Sequence, residues 1–90
     1  MKVDLTNLGT VNKNSVVLTN DKGRSVEIVF SYQTPVVVIG MGRQLVHEND
    51  WSTTTGKLLN EYEPDKKARV DDKTFNDYLG FVLNDLIVNN

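Results

Sequence analysis

Cysteine is absent from the 90-residue sequence, and histidine occurs once, as His47. The absence of cysteine excludes disulfide bonds, thiolate zinc sites and thiol nucleophiles, and it is compatible with a reducing cytoplasm. A single imidazole cannot form a zinc site built from several His or Cys ligands. We therefore expect neither a metal nor another cofactor.

Long apolar segments are also missing. The longest wholly apolar run, residues 35–39, is far too short to cross a bilayer, and residues 1–10 lack the continuous apolar region of a secretion signal. The formal net charge of -2 argues against general attraction to nucleic acid or anionic lipid. These features predict a soluble cytoplasmic protein without membrane contact.

The composition is that of an ordinary folded chain, with 39% hydrophobic and 24% charged residues. A chain of this length has surface enough for one hydrophobic core, so we expect a single domain over residues 1–90. Residues 71–90 hold four acidic side chains and one basic side chain, which makes the carboxy-terminal segment the acidic part. A solvated helix face is the ordinary explanation of such a charge bias.

Turn-forming residues separate four segments of strand composition. Residues 15–19 and 25–32 (SVVLT and SVEIVFSY) flank an Asn-Asp-Lys-Gly turn and predict a hairpin. Residues 36–39 (VVVI) lack polar alternation, which is typical of a strand buried on both faces, and residues 44–48 return after a Gly-Met-Gly turn. Alternation in the second strand directs one set of side chains inward, namely Val26, Ile28, Phe30 and Tyr32.

The apolar spacing changes to the helical period after Trp51. Ser52 or Thr53 is placed to cap a short helix, and Pro64 ends it. The apolar stripe of this helix is Thr55, Leu58, Leu59 and Tyr62.

A longer helix follows at the carboxy-terminal end, with Asp71 or Asp72 as its cap. Its apolar stripe is Phe75, Tyr78, Leu79, Val82, Leu83, Leu86 and Ile87. Together the elements predict an α+β fold, in which a four-stranded antiparallel meander carries a short helix and a long carboxy-terminal helix packed on one face.

The stretch TTTGK at residues 53–57 invites comparison with a nucleotide-binding phosphate loop. Such a loop needs a glycine where Trp51 stands and a Ser or Thr where Leu58 stands, so nucleotide hydrolysis is disfavoured. The hydroxyl residues are explained by capping of a helix start. A helix amino terminus with Ser52, Thr54 and Lys57 nearby can still bind a small phosphate or carboxylate ligand without catalysis.

Two further motifs have ordinary structural explanations. The Gly40-Met41-Gly42 segment resembles part of a dinucleotide-binding loop, but Leu45 stands where the third glycine belongs, so a hairpin turn is favoured. His47 lies near acidic residues, yet no motif places a nucleophile, and a surface or half-buried strand residue is the better interpretation. We therefore expect a protein that is not an enzyme and has no chemically active cleft.

Basic residues suggest nucleic-acid binding as an alternative. The sheet and the basic loop would supply Arg24, Arg43, Lys66, Lys67 and Arg69. Carboxylates interleave with this run between residues 61 and 72, which favours a solvated loop.

Two aromatic residues are candidates for partner binding. Trp51 is interpreted as a core plug, meaning a buried core side chain, or as a hydrophobic staple that packs under the start of the helix. The alternative is that Trp51 binds a protein partner. Phe81 lies off the apolar stripe of the last helix, between Asp77 and Asp85. An exposed aromatic on an acidic helix face indicates a protein partner, and it leaves a homodimer open.

Two stretches, SYQTPVVV at residues 31–38 and WSTTTGKLLN at residues 51–60, resemble a family of short, functionally uncharacterised proteins from phages and related mobile elements. The family commonly has a histidine where this sequence has Leu58. The matching positions are Tyr32, Thr34, Pro35, Val36, Trp51, Ser52, Thr54, Thr55, Lys57 and Asn60.

The resemblance implies a phage or prophage origin and supplies no activity. The first hypothesis is therefore a non-enzymatic protein-binding module, encoded by a phage, that occupies the surface of a host or phage protein. Its acidic helix would imitate nucleic-acid phosphates and inhibit a nuclease of host defence, CRISPR effectors included.

Overall fold

The computed structural model describes residues 1–90 and contains one antiparallel sheet, two α-helices and one turn of 3-10 helix. The five strands lie in chain order across the sheet. They are β1 (Lys2–Asn7), β2 (Lys13–Thr19), β3 (Ser25–Ser31), β4 (Thr34–Gly40) and β5 (Arg43–Val46). The helices are α1 (Thr53–Tyr62) and α2 (Asp72–Val88), with the 3-10 turn at Lys66–Ala68 between them.

The α+β class and the antiparallel meander are confirmed, but the predicted number of four strands was wrong. The additional strand is β1, which pairs with β2 from Lys2 opposite Thr19 to Asn7 opposite Asn14. Its sequence KVDLTN alternates polar and apolar residues, as strands do, although every one of its side chains is exposed.

The two helices lie on opposite faces of the sheet. Phe75, Val82 and Leu86 of α2 pack on a face that presents Val26 and Ile28 of β3. Leu58 and Leu59 of α1 pack with Val29, the residue after Ile28 in β3, and with Val37 of β4. Successive strand residues point to opposite faces of the sheet, so α1 covers the face that α2 leaves free. The prediction that both helices pack on the same face was therefore wrong.

Burial on both faces explains the apolar run of β4. Val36, Val37 and Val38 are all completely buried, as the absence of polar alternation predicted. Neither α1 nor α2 combines the length and the apolar character that crossing a bilayer requires.

The end of β3 departs from the predicted alternation. The register between β3 and β4 shifts between Val29 and Phe30, which changes the orientation of the residues that follow. Tyr32 has φ 56° and is 57% exposed, so its predicted inward position was wrong. Ser31, which is not among the residues predicted to face inward, is buried, and its hydroxyl lies 2.8 Å from that of Thr55 in α1.

Helix α2 begins with a side-chain cap, as predicted. Asp71 caps its start by accepting a 2.8 Å hydrogen bond from the Thr74 backbone amide. The hydroxyl and amide of Thr74 hold the pKa of Asp71 below its ordinary value. Ile87, the last residue of the predicted apolar stripe of α2, is 66% exposed, so its predicted place in the stripe was wrong.

Candidate anion-binding site

A polar cleft of about 550 Å³ lies beside α1. This volume is in the range of small-molecule binding sites. None of the cleft's eight lining residues is hydrophobic. Three of them are cationic and one is a carboxylate. The lining consists of Glu48, Asn49, Thr53, Gly56, Lys57, Asn60, Lys66 and Arg69.

Arg69 is the buried cation of the cleft. Only 8% of its surface is exposed, which corrects the prediction that it lies in a solvated loop. Its Nε donates a 3.0 Å hydrogen bond to the Glu63 carbonyl oxygen, and its Nη2 donates one of 2.6 Å to Asn60 Oδ1. Both acceptors are neutral, and Arg69 forms no ion pair. The burial of this charge is therefore not compensated by a carboxylate of the chain.

The third guanidinium nitrogen of Arg69, Nη1, has no hydrogen-bond partner within the chain. Every buried side-chain nitrogen and oxygen atom of the chain has a hydrogen-bond partner. Nη1 makes no hydrogen bond, so it retains contact with solvent. Arg69 is one of the residues that line the cleft.

Lys57 and Lys66 add two flexible cations to the same cleft. Both side chains are exposed, and neither belongs to any of the ion pairs in the chain. Glu48 is the only acidic residue in the lining, and it is also unpaired. The cleft therefore carries an excess of positive charge on side chains that no acidic residue neutralises.

Asn49, which lines the cleft, forms hydrogen bonds with the two residues that precede α1. Its Nδ2 donates a 3.1 Å hydrogen bond to the Ser52 carbonyl, and its Oδ1 accepts one of 3.0 Å from the Trp51 amide. A Cβ atom on Gly56 would lie 2.9 Å from this Nδ2. A glycine at position 56 therefore allows the asparagine to approach the helix.

The predicted ligand residues are only partly brought together. Lys57 lines the cleft, whereas Thr54 is exposed outside it. Ser52 caps α1, as predicted, by accepting a 3.3 Å hydrogen bond from the Thr55 amide. Ser52 faces a second, smaller pocket instead of the cleft.

This second pocket has a volume of about 190 Å³ and lies between the β3–β4 turn and the start of α1. Trp51 on its wall is 43% exposed, so it is not a core plug, and its ring centroid lies 4.7 Å from that of His47. Most of the lining residues are among the positions that carry the resemblance noted in the sequence. The lining residues are Ser31, Tyr32, Thr34, Trp51, Ser52 and Thr55.

His47 is a buried residue, which corrects the prediction of a surface or half-buried position. It is 2% exposed, and its Nδ1 lies 2.6 Å from the Glu48 carbonyl oxygen. Its Nε2 lies 2.9 Å from Asp72 Oδ1, which ties β5 to the first turn of α2. No three His, Cys, Asp or Glu side chains converge into a group that would hold a metal ion.

The five predicted nucleic-acid residues do not form one surface. Arg24 pairs with Asp85 of α2 at 2.6 Å, and the Arg43 guanidinium lies 5.3 Å from the Tyr78 ring centroid. Both therefore contact α2, on the sheet face opposite α1. Lys66 and Arg69 line the cleft beside α1, and Lys67 lies outside that cleft.

The predicted protein-binding residues share one side of α2, but both carboxylates are paired. Phe81 is 55% exposed at a depression of about 340 Å³ that Asp77 also lines. Asp77 forms a 2.7 Å ion pair with Lys73, whose pKa it raises, and Asp85 pairs with Arg24.

The fold and the cleft define a small α+β protein with a polar cleft between its first helix and the segment that leads to the second. A model described as a family of unknown function (DUF8033) matches residues 3–77, so the chain belongs to this family. The match includes every cleft residue, whereas Phe81 and Asp85 lie beyond it. Comparisons with curated proteins and with solved structures find no match. Phage origin remains a prediction.

Proposed function

We propose that this protein is a non-enzymatic binding module that holds a small anionic ligand in the cleft beside α1. The observation that carries the proposal is the buried, unpaired guanidinium of Arg69. A buried charge is costly unless an opposite charge or a full set of hydrogen bonds accompanies it. A phosphate or carboxylate group in the cleft would supply that opposite charge.

The neighbouring side chains suit such a ligand. The Nη1 donor of Arg69 has a fixed direction because hydrogen bonds to Glu63 and Asn60 hold the guanidinium plane. Lys57 and Lys66 are flexible cations that can adjust to the ligand. Glu48 can accept a hydrogen bond, so a ligand with one anionic group and one hydroxyl or amino group fits the lining best.

Ligand-induced stabilisation tests this proposal. We expect inorganic phosphate and ribose 5-phosphate to raise the melting temperature, because a ligand that binds only the folded state stabilises it. The double variant Lys57→Ala/Lys66→Ala should weaken binding by about a hundredfold, since each charge-assisted hydrogen bond contributes roughly a factor of ten. Both lysines are exposed, so the variant should fold normally.

The matched control is Lys73→Ala, which removes an exposed lysine of α2 that does not line the cleft. Sodium chloride at equal ionic strength separates binding from general screening of surface charge. An equal rise in melting temperature for the wild type and the cleft double variant would contradict the proposal.

Protein binding through Phe81 is the second candidate function. Its support is the exposed aromatic ring beside a depression that Leu45 and Tyr78 also line. Because the nearby Asp77 and Asp85 are paired with cations, Phe81 would anchor the partner more than acidic charge would. Phage origin and inhibition of a host-defence nuclease belong to this proposal.

Capture from host lysate tests the second candidate. We expect the variant with alanine at Asp77, Phe81 and Asp85 to lose at least about tenfold in partner capture, because hot-spot aromatics contribute this much or more. Phe81→Ala alone should account for most of that loss. The cleft double variant is the control and should retain full capture. Equal recovery of the partner by the wild type and the triple variant would refute this function.

A further inference from the structure

Strand β1 leaves one edge of the sheet open. It pairs only with β2, so the outer backbone amides and carbonyls along Lys2–Asn7 have no neighbouring strand. The edge is regular, because its register with β2 has no bulge and its sequence has no proline. The opposite edge is partly covered, since Val70 donates a 2.9 Å hydrogen bond to the Val46 carbonyl.

The side chains of β1 are divided between two different surfaces. Val3 lies opposite Leu18 and Leu5 opposite Val16, on the sheet face that carries α2. They are nevertheless 61% and 69% exposed, because α2 packs on β3 and β4 and does not reach β1. Lys2 and Asp4 point to the other face, where they form a 3.8 Å ion pair.

The charges of β1 are self-complementary in one antiparallel register. When two β1 strands meet with Val3 opposite Val3, Lys2 of each copy lies opposite Asp4 of the other. The next registers that keep apolar side chains on one face are centred on Lys2 or on Asp4. These registers set lysine against lysine or aspartate against aspartate, and such pairs are destabilising. The two charges therefore select the register centred on Val3.

We propose that two copies of this chain pair symmetrically through β1 and form one continuous sheet. In this dimer the Val3 side chains lie side by side and Leu5 lies opposite Met1 of the second copy, so exposed apolar surface is covered. The partner is a second copy because each strand supplies both signs of charge at the matching positions. No residue of β1 lines the polar cleft, so the pairing is independent of the proposed anion binding.

Sedimentation velocity over a series of protein concentrations tests the pairing. We expect a reversible dimer for the wild type. Asp4→Lys should raise its dissociation constant at least about tenfold, because two attractive cross-strand pairs become repulsive. Lys2→Asp should do the same. Both side chains are well exposed, so the monomer should retain its fold. Asp50→Lys is the control, since it makes the same charge change at an exposed residue outside β1 that forms no ion pair.

A mixture of the two single variants tests directly whether the charges at positions 2 and 4 pair across the dimer. Lys2→Asp has only acidic side chains at the two positions, and Asp4→Lys has only basic ones. The mixture should therefore form a heterodimer at concentrations where each variant alone is mostly monomeric. The reciprocal double variant Lys2→Asp/Asp4→Lys should dimerise like the wild type. A wild type that stays monomeric, a dimer insensitive to Asp4→Lys, or a mixture that stays monomeric would each overturn the proposal.

Discussion

A chain that ends at Val70 should show no cooperative unfolding transition, because it lacks α2. Phe75, Val82 and Leu86 of this helix are fully buried against the sheet. Burial of each such side chain contributes about 1.5–3 kcal/mol, so their loss removes roughly 5–9 kcal/mol. The whole stability of a small domain is about 5–15 kcal/mol, and the truncated sheet would also expose the apolar residues that α2 covers.

Polar contacts with α2 increase the effect of the truncation. The buried side chain of Asn20 donates a 3.2 Å hydrogen bond to the Leu86 carbonyl. The Tyr78 hydroxyl donates one of 2.6 Å to the Gly40 carbonyl, and His47 contacts Asp72 at 2.9 Å. Removal of α2 removes these hydrogen bonds, each of which contributes about 0.5–1.5 kcal/mol to stability.

Circular dichroism and calorimetry of two truncations provide the measurement. The control chain ends at Val88 and loses only the last two residues, including the contact of Asn90 with the Asp21 amide. It retains every buried side chain of α2 and should unfold in one cooperative step. A sigmoidal transition with a calorimetric peak in the chain that ends at Val70 would show that the sheet and α1 fold without α2.

Local patterns were sufficient to predict most of the secondary structure. Period-two and helical spacing identified four strands and both helices, and the capping rules identified Ser52 and Asp71. The strand that was missed, β1, has the expected alternation but buries no side chain, so its apolar residues carry little of the signal that a core strand gives. The orientation of Ser31 and Tyr32 depends on the bulge with β4, which is set by pairing between strands and not by local sequence.

The site was harder to predict than the fold. The cleft combines Glu48 after β5, Lys57 on α1 and Arg69 before α2, and only the folded path of the chain brings these segments together. Arg69 was expected in a solvated loop because its charged neighbours suggested one. Its burial follows from acceptors at Asn60 and Glu63, which sequence spacing alone does not pair with an arginine. Lys57 was predicted as a ligand residue at the start of α1, whereas Asn60 was marked only by the resemblance noted in the sequence.

Phe75→Ala should destabilise the protein by about 3–5 kcal/mol, the cost expected for removing a fully buried phenyl ring. Phe75 is completely buried among β3, β4, β5 and α2, and its ring centroid lies 5.2 Å from that of His47. The substitution therefore opens a cavity in the core and removes one wall of the His47 site. Neighbouring strands limit the collapse of that cavity, which places the cost in the upper part of the range for a core substitution.

Phe81→Ala is a matched control for Phe75→Ala, because it makes the same chemical change in the same helix on a ring that is 55% exposed. It should change the free energy of unfolding by at most about 1 kcal/mol, since the ring covers little surface beyond its contact with Tyr78. Urea unfolding of both variants, with unchanged denaturant slopes, measures the difference directly. Similar losses of stability in the two variants would mean that α2 does not present Phe75 to the core and Phe81 to solvent, and both the fold and the Phe81 surface would have to be abandoned.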